Sequence, residues 1–153
     1  MVNLLNLTAS AAAASVMILD HTKSLGLDLV NGGCQNYTTV QQFPVISTNA
    51  NQKWNLNIVG ANEFQIVSVP CGTTLSYAGS ETGANSVRSQ PVAIRGSQTI
   101  WTVVSVNNTD PNAGFRSGMA LTAWANVSIG GTAAPLTLEP RVNADARQTF
   151  FFA

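Results

Sequence analysis

One short pattern returns along the chain and limits what it can fold into. Gln52-Lys53-Trp54 is followed by Gln98-Thr99-Ile100-Trp101, with 46 residues separating the two glutamines, and by Gln148-Thr149-Phe150-Phe151 another 50 residues on. Each time an amide precedes a bulky aromatic and further apolar residues. A proline stands upstream at nearly constant distance: Pro44, Pro91 and Pro140 lie 8, 7 and 8 residues before the glutamines. A repeat of about 45 residues is one supersecondary unit, too small to bury its own apolar face, so the copies must share a core. The copies run about 15–60, 61–107 and 108–153 within a single domain of 153 residues, and residues 1–14 form an N-terminal arm.

Each copy divides into short apolar or alternating runs separated by Gly, Asn, Ser and Pro. In the first copy, 16–19, 25–30, 40–43 and 53–59 read as strands, with Asn31-Gly32-Gly33 as a tight reversal. In the second, 63–68, 73–77, 92–94 and 100–106 do; in the third, 114–118, 119–124, 136–140 and 148–151. No segment sustains a helical apolar period, and 145–147 allows only one turn of 3₁₀ helix. Twelve strands in three four-strand copies predict an all-β chain and, with pseudo-three-fold symmetry, a β-trefoil: a six-stranded barrel capped by three hairpins. Trp54, Trp101 and Phe150 or Phe151 are then core residues meeting near the pseudo-axis, because large aromatics supply most of the area a small barrel buries.

Formal net charge is zero and 9% of residues are charged, so there is no basic footprint for nucleic acid. Nor is there a basic amphipathic stretch or an apolar run long enough for membrane insertion. A surface covered by Asn, Thr, Ser, Gln and Gly suits a polar, uncharged ligand. Cys34 and Cys71 fall at non-equivalent places in different copies, which predicts two free thiols rather than a disulfide framework. Residues 1–15 are alanine-rich but lack the cationic start of a signal peptide. The expectation is a chain that is cytoplasmic or released without a signal peptide, with an extracellular location left open, in which the sequons at Asn6, Asn36, Asn107 and Asn126 are silent. One histidine and two distant cysteines make no metal cluster, and no nucleophile-elbow or zincin motif occurs, so neither an enzyme nor a cofactor is expected.

Leu27-Asp28-Leu29, Gln41-Gln42-Phe43-Pro44 and Asn51-Gln52-Lys53-Trp54 together resemble the ricin B-chain-like, or Gln-x-Trp, β-trefoil lectins. The resemblance covers about 16–153 and is specific in the first copy. In the second copy the Gln-to-Trp spacing is one residue too long; in the third, Phe replaces Trp. The within-copy cysteine pairs of secreted plant members are missing, and the chain looks most like the signal-less fungal members.

What the resemblance implies is a shallow pocket for galactose- or N-acetylgalactosamine-terminated glycans. Asp28 stands at the family's sugar-binding carboxylate, Phe43 at the stacking aromatic, and Gln41, Asn51 and Gln52 complete the pocket. Gln52, present in all copies, also fits a purely bracing role. The corresponding pair is Ser76 and Gln90 in the second copy, and Thr122 and Glu139 in the third. The chemistry is consistent with this sorting. An ionised carboxylate accepts from two hydroxyls at once, and an aromatic ring covers a sugar's C–H face. Ser and Thr cannot do the first, nor Gln and Glu the second. Trp124, two residues after Thr122, would be a second sugar platform if it faces outward, and core or interface if it does not. With one good pocket per chain, avidity calls for a homo-oligomer, most simply a homodimer. The alternative is a β-trefoil protease inhibitor acting through an exposed loop at 78–90 or 107–114.

Overall fold

The computed structural model describes residues 15–77, 90–102, 119–124, 133–142 and 144–153. The expected arm, the strand at 114–118, the end of the strand at 100–106 and nearly all of both inhibitor loops lie outside these residues, as do the sequons other than Asn36.

Eleven strands are seen among the described residues. They are β1 (Ile18–Leu19), β2 (Leu25–Leu29), β3 (Thr38–Pro44), β4 (Trp54–Gly60), β5 (Glu63–Ser68), β6 (Thr74–Tyr77), β7 (Pro91–Ile94), β8 (Trp101–Thr102), β9 (Met119–Ala123), β10 (Leu136–Pro140) and β11 (Phe151–Phe152). Among the described residues, helical structure is confined to three 3₁₀ turns, Val30–Gly32, Ala50–Gln52 and Ala146–Gln148. Nine strands form one sheet in the order β11-β1-β2-β3-β7-β6-β5-β4, with β8 paired to β5, and β9 and β10 form a separate hairpin. The sheet curls on itself. Val16, just before β1, bridges Trp54 of β4 in both directions, at 2.8 and 2.9 Å. Gln42 of β3 bridges Ala134 and so ties the third-copy hairpin to the first. This is an all-β, β-trefoil architecture.

The hairpins superimpose by register. Asp28 pairs with Gln41, Ser76 with Val92, and Thr122 with Thr137. Inside them sits one core of Ile18, Leu27, Leu29, Val40, Trp54, Ile66, Leu75, Ala93, Ala123 and Leu136. The repeat dictates its composition: Leu27, Leu75 and Leu121 each precede the first-named residue of a pair, and all three pack in or against the core. Trp54 is wholly buried and donates its indole N–H to the Leu27 carbonyl at 3.2 Å. Trp101 repeats this toward the Leu75 carbonyl at 3.0 Å but is only half-buried. Phe150 packs against the core in the third copy, whereas Phe151 is 38% exposed, with Lys23 stacked on its ring at 4.4 Å. Alternation explains the choice, since neighbouring residues of a strand face opposite sides.

Two expectations are corrected. Cys34 and Cys71 are not free thiols; they form a disulfide with Cα atoms 5.1 Å apart. Non-equivalent sequence positions do not prevent proximity, because the loop after β2 packs on the turn between β5 and β6, in the neighbouring copy. The second correction concerns Gln90. It does not occupy the position of Phe43 in the second copy. From the paired residues Gln41 and Val92, two positions on are Phe43 and Ile94. Pro91 lies at the opposite end of its strand from Pro44, so the proline spacing misled the alignment.

Candidate functional site

Asp28 lies on β2 opposite Gln41 of β3, and Phe43 is two residues along β3 on the same face. Val40 and Gln42 point inward and are fully buried, so Gln41 and Phe43 are directed outward and half-buried. The chain then turns through Pro44 and returns by the 3₁₀ turn Ala50–Gln52. That turn is capped by Asn49, whose side-chain oxygen accepts from the Asn51 N–H at 3.0 Å. The same side chain donates from Nδ2 to Asp28 Oδ2 at 3.1 Å, while Gln41 Nε2 donates to Asp28 Oδ1 at 3.2 Å. Each carboxylate oxygen thus meets one amide donor. An ionised carboxylate has about four acceptor positions, so roughly two remain for ligand hydroxyls.

Gln52 is wholly buried and holds the loop that follows Phe43 and Pro44. Its Nε2 donates to the Pro44 carbonyl at 2.9 Å, and its Oε1 accepts from the Ile46 N–H at 2.9 Å. Gln148 makes the matching pair in the third copy, to Pro140 at 3.0 Å and from Val142 at 2.9 Å. Gln98 does not. The extra residue before Trp101 moves it outward, and Thr99 takes the inner place, with its hydroxyl 2.6 Å from that of Ser76. Ser97 joins them at 2.9 and 3.2 Å, so the second-copy position is filled by a cluster of neutral hydroxyls.

The structure therefore brings Asp28, Gln41, Phe43 and Gln52 together. Asn51 stands apart from the carboxylate's hydrogen bonds. Its side chain lies against Gly32, where an added Cβ would come within 2.8 Å of Asn51 Oδ1. Gly32 also has φ +62°, a left-handed backbone conformation that favours glycine. Asn49 is the residue that sequence reasoning missed. Its signal was present: Asn49 and Asp145 both stand three residues before the bracing glutamine, and both cap the following 3₁₀ turn. Among the described residues, no group of three His, Cys, Asp or Glu could hold a metal ion.

Burial pushes the Asp28 carboxyl above its ordinary value of 3.8, against the opposing pull of the Gln41, Asn49 and Gln52 amides. Asp28 is only 4% exposed. With the folded value raised, ionisation costs stability: that cost is absent below the ordinary value, grows through the window up to the raised value, and persists above it. A chain selected for stability alone gains nothing from an acid here. Ligand binding that needs the ionised form should be constant near neutrality and fall in acid, with a midpoint above the ordinary carboxylate value. Titrations across pH check this, and a midpoint at or below that value would contradict it.

No protein-family profile matches the sequence, and no characterised protein matches it significantly in sequence. Solved structures do match. The designed three-fold symmetric protein ThreeFoil aligns with TM-score 0.71 at 16% identity, covering 91% of this chain and 97% of its own. The Rhizoctonia solani agglutinin aligns with TM-score 0.65 at 18% identity, over 95% and 97% of the two chains. The likeness is one of fold, the β-trefoil. The Macrolepiota procera ricin B-like lectin, solved in complex with lactose, aligns with TM-score 0.64 at 15% identity, over 95% and 98%.

Proposed function

We propose that this β-trefoil is a ricin B-like, carbohydrate-binding lectin. Its site is the β2–β3 hairpin of the first copy, and its ligand is a glycan ending in galactose or N-acetylgalactosamine. The carrying observation is Asp28, a carboxylate buried at a cost, ringed by amides and placed beside an outward-directed aromatic. In this reading Asp28 accepts two sugar hydroxyls and Phe43 covers the C–H face. Gln41 and Asn49 orient the carboxylate, Gln52 fixes the loop beneath Phe43, and Asn51 steadies the rim. The agglutinin and the lactose-bound lectin with the same fold add support. The chemistry required is recognition, with no bond made or broken. The disulfide suits a chain that works outside reducing compartments. Each hydroxyl bond nets only about 1 kcal/mol against water, so avidity from several sites per assembly, such as a homodimer, belongs to the same reading.

Retention on immobilised galactose with elution by free sugar tests it; an inhibitor acting through a loop would pass through. Phe43→Ala should weaken retention while Phe43→Trp keeps it, because both remove the native ring but only the second restores a flat face. Undiminished retention by Phe43→Ala, with normal melting, would remove Phe43 from the site.

A further inference from the structure

The loop between β2 and β3 ends in Gln35-Asn36-Tyr37-Thr38, which contains the sequon Asn36-Tyr37-Thr38. It closes as a tight turn. The Thr38 N–H donates to the Gln35 carbonyl at 3.2 Å, and the Thr38 hydroxyl donates to the same oxygen at 2.7 Å. Tyr37 has φ +65° and is 63% exposed, and Asn36 beside it is exposed as well. The second copy fixes where the turn sits. The Tyr37 N–H donates to the Ala93 carbonyl at 2.9 Å, and Asn36 Oδ1 accepts from the Arg95 N–H at 2.7 Å. Among the described residues, only the oxygen of the Asn36 amide is engaged.

Cys34, two residues before Asn36, is joined to Cys71. Such bonds form and persist in the oxidising compartments through which secreted chains pass. Chains that take that route are glycosylated on asparagine where Asn-x-Ser/Thr, with any residue but proline in the middle, lies on a surface loop. The reading of this sequon as silent presumed a reducing compartment in which both thiols stay free. The disulfide takes away the ground for it, and the turn supplies the surface loop.

We propose that Asn36 is a modification site that carries an N-linked oligosaccharide on Nδ2. The donor is a lipid-linked oligosaccharyl diphosphate. Asn36 Nδ2 forms a bond to the anomeric carbon of the first sugar, and the bond from that carbon to the diphosphate oxygen breaks. The electron pair leaves with the lipid diphosphate, and one amide proton is released. The product amide keeps its carbonyl oxygen, so the bond from Arg95 survives and the folded turn accommodates the modification. In the folded chain the Thr38 hydroxyl is committed to Gln35, so transfer takes place before this turn closes. β3 runs from Thr38 to Pro44, which sets Phe43 roughly 17 Å along the strand from the sequon and leaves the candidate sugar site open. The inference does not depend on the lectin reading.

The test maps by mass the protein as its own cells make it, digested without reduction. The peptide that holds Asn36 should carry an added oligosaccharide while Cys34 remains linked to Cys71, whatever the other sequons carry. Peptide N-glycosidase in heavy-oxygen water should remove that mass and leave a labelled aspartate in place of Asn36. When the chain is expressed through the secretory route of a eukaryotic host, Thr38→Ser should keep the glycan, and Thr38→Ala and Asn36→Gln should lose it completely. An unmodified Asn36 in the native protein overturns the proposal, whether or not the disulfide is formed. So does a glycan on Asn36 that survives Thr38→Ala. Where a variant fails to be secreted, the map of the native protein decides alone.

Discussion

Trp54→Ala should lower stability by about 3–5 kcal/mol, the range for removing a large buried aromatic. Trp54 is wholly buried at the centre of the core, and its removal leaves a cavity that the surrounding strands cannot collapse into. It also strips the Leu27 carbonyl of its indole donor, in a place without water to replace it. Trp101→Ala removes the same side chain at the equivalent position, but from a half-buried site. Its cost should be clearly smaller. Chemical denaturation of both variants checks the difference. Equal losses would mean that the three copies contribute to the core symmetrically, which the burial of these residues does not support.

Loss of the Cys34–Cys71 disulfide should cost about 4 kcal/mol, the chain-entropy value for a closed loop of 37 residues. Cys34→Ser, Cys71→Ser and the double variant should be destabilised by the same amount, because each removes one and the same crosslink. The bond joins the loop after β2 to the turn between β5 and β6, and so crosslinks the first copy to the second. Thiol titration of the denatured, unreduced protein should find no free groups. Two free thiols per chain, or a double variant as stable as the parent, would contradict the assignment.

The fold was legible because it rests on period and alternation. The recurring Gln-x-aromatic placed the copies, and Leu27-Asp28-Leu29 placed a carboxylate between two inward-facing leucines. Asp28, Gln41 and Phe43 came from the resemblance to the Gln-x-Trp lectins, which the first copy carries. Gln90 failed because one repeated proline is not a register, and only cross-strand pairing reveals that Ile94 is the counterpart of Phe43. Gln98 failed for a related reason: a one-residue insertion exchanged it for Thr99. The disulfide was hidden because contact between loops of different copies leaves no local sequence signal. Asn49 was hidden behind the more conspicuous Asn51-Gln52 pair, although its capping role recurs at Asp145. Trp124 stood out in the sequence, but its link to Glu139 needs the hydrogen bonds through Thr137 to be seen.

The central claim is that the Asp28 carboxylate anchors a sugar in the first copy. Calorimetric titration of the parent, Asp28→Asn and Ser76→Ala with galactose and N-acetylgalactosamine tests it most directly. Asp28→Asn keeps the shape and removes the charge; Asn49 goes on donating to the retained oxygen, and the Gln41 amide can turn its oxygen toward the new donor. The variant should therefore melt no lower than the parent while losing charge-assisted bonds worth roughly 1.5–3 kcal/mol, about a ten- to hundred-fold fall in affinity. Ser76→Ala, at the equivalent second-copy position, should bind like the parent. If Asp28→Asn binds like the parent while Ser76→Ala does not, the site lies in the copy held here to be filled by its own hydroxyls, and the assignment is wrong.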